Sequence, residues 1–148
     1  MKKYHNVMSN FNQFLETVSY WKNNSLDFGD EIILFRGEIH IIKTTGDYPG
    51  IFISEIARRF GVTRAVISKS VNKLEKNGYV LKTPDPKDQK RLQVYLTELG
   101  QKAYLNHEKF HKQHDNFIYE HLEKLDDKEL EAINTFLLNA RQMVKNHF

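Results

Sequence analysis

The segment Ile53–Thr97, ISEIARRFGVTRAVISKSVNKLEKNGYVLKTPDPKDQKRLQVYLT, leaves few folds open to the chain. Ser54 stands where it can cap a short helix by accepting a backbone N–H bond from the first turn, and Ile56, Ala57 and Phe60 give that helix an inner face. Gly61 then supplies the left-handed residue that stops the helix without steric cost. Val62 is expected to pack into the angle. Thr63 can cap a second helix, whose Ile67, Val71 and Leu74 recur at intervals of four and three and hold one face to a core. Gly78 ends it. A strand begins at Tyr79, Val80 and Leu81 and is broken by Thr83-Pro84-Asp85-Pro86-Lys87-Asp88, because proline cannot donate to a ladder and the charged side chains want water. Leu92, Val94 and Leu96 return with period two, with Gln93 and Tyr95 on the other face. Two helices about a glycine turn, followed by a hairpin with one packed face, describe a winged helix-turn-helix.

Positive charge gathers in the same place. From Arg64 to Arg91 there are eight cationic side chains (Arg64, Lys69, Lys73, Lys76, Lys82, Lys87, Lys90, Arg91) against Glu75, Asp85 and Asp88, a local net of +5 in a chain of +3. A cationic face on a helix that can enter the major groove points to duplex DNA. The competing reading is a winged-helix protein-interaction module whose basic face is merely solvated. With Ile67, Val71 and Leu74 facing the core, Arg64, Ala65, Ser68, Lys69, Asn72, Lys73 and Lys76 are left outward or flanking. Arg64, Ser68 and Lys69, in the N-terminal half of the helix, are the base-edge candidates. Ala65 or Val66 can meet a thymine methyl. Lys73 and Lys76 are expected on phosphates, and Asn72 on either. In the wing, Lys87, Lys90 and Arg91 can reach the minor groove, and Asp88 is expected to brace a neighbouring basic side chain and fix the loop. Ser54 and the start of its helix are further phosphate candidates.

The rest of the chain reads as helical. Phe11, Leu15, Val18 and Trp21 form an apolar stripe on a first helix over about residues 10–22, and a second helix is expected over about 37–44 with Ile39, Ile42 and Ile41 inward. Thr97 can cap a long helix running to about His121. Asp126 and Glu129 have capping-box spacing before a last helix carrying Leu130, Ile133, Leu137, Ala140 and Val144, with Leu125 and Leu130 spaced as a staple. The expected fold is mainly α with a small β-hairpin wing. A winged domain covers residues 37–97, and residues 1–36 and 98–148 form a discontinuous dimerisation region. The wide apolar faces of the first and last helices have no further layer to cover them, and a copy of the same surface would do so.

Composition excludes several classes. With 148 residues and no cysteine there are no disulfides, thiolate metal sites or thiol nucleophiles, and the expected compartment is the cytoplasm. No apolar run approaches the ~18 residues of a membrane span, and the start MKKYHNVMSN is not a secretory signal. There is no glycine-rich phosphate loop and no Gly-x-Ser-x-Gly elbow. His107-Glu108-Lys109-Phe110-His111 fits H-E-x-x-H by letter, but no third distal ligand accompanies it, and the chain is not expected to be an enzyme.

The stretch ISEIARRFGVTRAVISKSVNKLEKNGYV and the wing with its exit, PDPKDQKRLQVYLTELG, resemble the MarR family of bacterial transcriptional regulators, and the likeness extends over nearly the whole chain. It implies a homodimeric, sequence-specific DNA-binding regulator, most simply a repressor, whose two winged domains bind a near-palindromic operator and release it on binding a ligand. The family's wing usually ends Asp-Arg-Arg; here Asp88-Gln89-Lys90 stands there, so Lys90 matches the second Arg and Arg91 lies one residue further on.

A sensor can be sought in seven histidines. His107 and His111, four apart on one helix, leave the same face, and two imidazoles so spaced can share a Zn²⁺ ion. They also resemble the helical pair of the zinc-responsive MarR branch, where His40 stands at the place of a third ligand. That branch adds acidic ligands: Glu31 or Glu16 could serve, whereas Ile39 stands in place of one, so a two-metal pattern is absent. The alternatives are a small organic effector, walled by Trp21, Tyr20, Phe28 and Phe35, or no effector.

Overall fold

The computed structural model describes residues 1–147; Phe148, the last residue of the expected dimerisation region, lies outside the described residues. The chain runs α1 (His5–Trp21), β1 (Ser25–Asp27), β2 (Ile33–Phe35), α2 (Arg36–Asp47), β3 (Ile51–Phe52), α3 (Ile53–Phe60), α4 (Arg64–Lys76), β4 (Val80–Pro84), β5 (Leu92–Leu96), α5 (Glu98–His114), α6 (Asn116–Glu123) and α7 (Asp127–His147). It is mainly helical, with an antiparallel β1–β2 hairpin and a three-stranded antiparallel sheet ordered β3-β5-β4.

The helix-turn-helix forms as its residues dictate. Ile53, Ile56 and Ala57 of α3 and Ile67, Val71 and Leu74 of α4 are buried, the last two completely. Gly61 takes φ 65°, ψ 34°, and its N–H reaches back to the end of α3. The Thr63 hydroxyl accepts the Val66 N–H. Ser54 does not cap α3. The pairing of Phe52 with Gln93 in the sheet runs straight into the helix, so the cap is Phe52 and Ser54 sits inside the first turn. Val62, expected in the angle, is instead 42% exposed.

The wing hairpin continues further than the prolines suggested. Pro84 pairs with Leu92 as the last residue of β4. β4 is an edge strand, where the missing N–H removes no ladder bond. The third strand, β3, is only two residues long and was not foreseen. Neither was the β1–β2 hairpin, whose turn places Asp30 and Glu31 at φ 55° and 63°. In α2 the helix starts at Arg36 because the Glu38 carboxylate accepts the Phe35 N–H at 2.9 Å. Its Ile39, Ile41 and Ile42 are at most 1% exposed and form the centre of the core.

By its contacts the chain divides into two compact units, Met1–Glu108 and Lys109–Phe148. In the first, α1 starts at His5, five residues before the stripe suggested, and buries no residue. In the second, helicity is interrupted before His121: Asp115, whose carboxylate pairs with His111, stands between α5 and α6. The Asp126–Glu129 capping box forms in both directions, at 2.9 and 2.8 Å. No residue of α6 or of described α7 is buried.

Candidate nucleic-acid interface

With Ile67, Val71 and Leu74 packed inward, α4 turns Arg64, Ala65, Val66, Lys69, Asn72, Lys73 and Lys76 to solvent, and Ser68 is half-buried beside them. Val66 is 51% exposed, an apolar side chain set among polar ones. Lys87, Lys90 and Arg91 are exposed in the wing, and Ser54 is exposed at the start of α3.

The cations of this face divide into two groups. Four are engaged inside the fold. The Arg64 guanidinium donates to the Lys90 carbonyl at 3.1 Å, tying the start of α4 to the wing. Arg91 stacks over the Phe52 ring at 3.6 Å. Lys82 donates to the Asn72 side-chain oxygen and lies 3.5 Å from Glu75, whose carboxylate also accepts the Lys82 N–H at 2.8 Å. Lys73 makes an ion pair with Glu38 at 2.6 Å and lies 4.9 Å from the centre of the Phe35 ring. The other four, Lys69, Lys76, Lys87 and Lys90, are exposed lysines. Asp88 acts differently from expectation. It holds backbone rather than a basic side chain: its carboxylate accepts the Lys90 N–H at 3.1 Å and its carbonyl accepts the Arg91 N–H at 2.9 Å. An aspartate is short enough to reach its own chain two residues on, and this fixes the turn.

Behind this face, Glu55 of α3 receives Arg58 and Arg59. The Arg58 hydrogen bond foremost holds the Glu55 carboxyl down to about 2. Arg59 also stacks on Tyr48 at 4.1 Å. Sequence reasoning missed Glu38, Phe35 and Phe52 as partners of the basic residues. The N-terminal position of Glu38 in α2 is a legible capping signal; its pairing with a lysine in another helix is not.

Of the sensor residues, His40 and His107 are brought together. His107 is buried, edge-on to Phe28 at 5.7 Å and 5.8 Å from the His40 ring. His111 pairs with Asp115. Among the described residues no group of three or more His, Asp or Glu side chains is placed to hold a metal ion. Trp21 lines a groove of about 340 Å³ with Thr17, Val18, Lys22, Asn24, Leu26 and Arg36. Phe28 packs on His107, Phe35 lies by Lys73, and Tyr20 is 74% exposed at the edge of Trp21.

Residues 34–92, from β2 through the wing, match the MarR family. That match covers 59 of the chain's 148 residues. The MarR segment holds the whole of α4 and the wing tip. Among curated proteins, the chain is 30% identical over 81 residues to YybA of Bacillus subtilis (strain 168), an uncharacterized HTH-type transcriptional regulator; the match covers 55% of this chain and 53% of YybA. The chain spans between 53% and 60% of the length of the curated relatives it matches. Solved structures align over almost its full length. Streptococcus pneumoniae FabT, in complex with DNA, gives a TM-score of 0.62 at 23% identity, covering 96% of this chain and 94% of that one. Lactococcus lactis ZitR, a zinc-responsive MarR family member, gives 0.68 at 19%, covering 93% and 99%.

Proposed function

We propose that the protein is a sequence-specific, duplex-DNA-binding transcriptional regulator, most simply a repressor, that acts as a homodimer on a near-palindromic operator. The observation that carries this reading is the exposed side of α4 and the wing. Its apolar face is sealed in the core, and Lys69, Lys76, Lys87 and Lys90 line the outside. Ser68 and Lys69 read base edges, with Ala65 or Val66 against a thymine methyl. Lys76 takes a phosphate, and Lys87 and Lys90 enter the minor groove. Arg64 has one guanidinium nitrogen on the wing and the remaining donors for a guanine edge. Arg91, Asn72 and Ser54 add contacts to the DNA backbone beside them. Residues 37–97 form the DNA-binding domain, and residues 1–36 and 98–148 pair the subunits. The FabT complex with DNA supports the reading by likeness of fold.

A signal reaches this regulator as a small organic molecule. The groove beside Trp21 supports this, since it joins Val18 and Leu26 to the cations Lys22 and Arg36, a lining suited to an apolar carboxylate. Zinc is the second reading, supported by the likeness to ZitR and by the approach of His40 to His107, with no group of three or more donors assembled among the described residues.

Selection of bound duplexes from a random pool, with and without Zn²⁺, tests all of this. A two-fold symmetric site should emerge. Lys76→Ala should weaken every sequence alike and lower the slope of log affinity against log salt by about 1, while Lys69→Ala should relax base preference. Recovery of no duplex at low salt would favour a protein-interaction module instead. Enrichment that changes with Zn²⁺ would reinstate the metal.

A further inference from the structure

Glu38 is the one acidic side chain among the buried polar and charged residues of the described chain, at 8% exposure. A carboxylate so placed is stable only if its charge is met and its oxygens bonded. Both oxygens of Glu38 are used. Oε2 accepts the Phe35 N–H at 2.9 Å and so opens α2. Oε1 meets the Lys73 ammonium at 2.6 Å. Lys73 comes from the last turn of α4, 35 positions along the chain, and its stem brings the ammonium to within 4.9 Å of the centre of the Phe35 ring. The cation is therefore held by a carboxylate and an aromatic face that belong to one helix start. α2 and α4 already touch through apolar side chains, but such contact lets a helix slide or roll by small amounts. A directional ion pair does not.

We infer that Glu38 is a positioning residue that fixes the orientation of α4 through Lys73, and that Lys73 is thereby withheld from the DNA backbone. The inference rests on the DNA-binding reading above for its consequence, though not for its geometry. It reverses the role that sequence alone gives Lys73. One of the eight cations of the basic segment is neutralised within the fold and adds nothing to counterion release. Removing it alters how α4 is presented instead of how many phosphates are touched.

Full-length Glu38→Gln, Lys73→Gln and the double variant separate these roles. Glutamine keeps the shape of Glu38 and an acceptor for the Phe35 N–H. Lys73→Arg preserves the charge and is the rescue variant. Urea unfolding is measured first. The double variant should be destabilised less than the product of the singles, by roughly fivefold in the unfolding constant, and Lys73→Arg should restore most of the loss. Affinity for the selected duplex is then followed against salt. Lys73→Gln should lose affinity with an unchanged salt slope, in contrast to Lys76→Gln, whose slope falls by about 1. Strictly additive unfolding constants would overturn the inference, and so would a slope that falls with Lys73→Gln. If no duplex is bound, the regulator reading fails, and the unfolding cycle alone still decides whether the strut exists.

Discussion

At Gly100 the first turn of α5 passes so near Tyr79 that a Cβ there would lie 2.0 Å from the Tyr79 carbonyl oxygen. The same oxygen accepts the Thr97 N–H at 3.1 Å, and the Thr97 hydroxyl bridges the Gly78 carbonyl and the Gly100 N–H. The backbone at the end of α4 and the start of α5 is thus bonded on both sides of the contact and has little room to retreat. Gly100→Ala is expected to destabilise the fold by ~2 kcal/mol, despite the gain in helix propensity, because overpacking against backbone outweighs it. A lowered urea midpoint at unchanged slope would be the signature; an unchanged midpoint would show that α5 can shift.

Between elements, α2 and α5 are joined by a polar brace. The Tyr104 hydroxyl donates to Asp47 at 2.6 Å, and Lys43 donates to the same carboxylate at 2.8 Å. Gly46 leaves space for the Tyr104 ring, which a Cβ would meet at 2.3 Å. Burial pushes the Asp47 carboxyl up, but the bonds from Lys43 and Tyr104 outweigh it and the net shift is down from 3.8. Tyr104 is pushed up from 10.0, first by its bond to Asp47. Asp47 therefore adds stability above 3.8 that is lost as pH falls through its lower folded value, and Tyr104 adds stability below 10.0 that is lost as pH rises through its higher one. In Tyr104→Phe the Asp47 titration should move upward, read by NMR of its carboxyl carbon. A titration that stays in place would mean that Lys43 alone sets it. The helix-turn-helix itself was legible in the sequence, since Ile67, Val71 and Leu74 leave one periodic solution and Gly61 one place to turn. The two-residue β3 was not, because Ile51-Phe52 is too short to show a period. Nor were the partners of Lys73, Arg91 and Arg64, which come from distant parts of the chain and obey no local spacing. The spacing of His107 and His111 was legible as well, whereas the packing of His107 on Phe28 and the pairing of His111 with Asp115 were not.

At the scale of the molecule, a large part of the apolar surface is still uncovered. Phe14, Val18 and Trp21 of α1 are each at least 47% exposed, and so are Phe117 and Ile118 of α6 and Leu137 and Leu138 of α7. These faces suit a self-complementary interface. The protein is expected to sediment as a dimer, with Leu138→Asp shifting it towards monomer while helicity by circular dichroism persists; a wild-type monomer at high concentration would remove this part of the reading. The three-stranded sheet is arranged against self-association. One margin is β3, with two residues, and the other is β4, closed by Pro84. A strand arriving at either margin finds too short a template or a position with no hydrogen to share. Self-association is thereby steered away from the hairpin, and two copies crowded together at high concentration would not zip into fibrils through it.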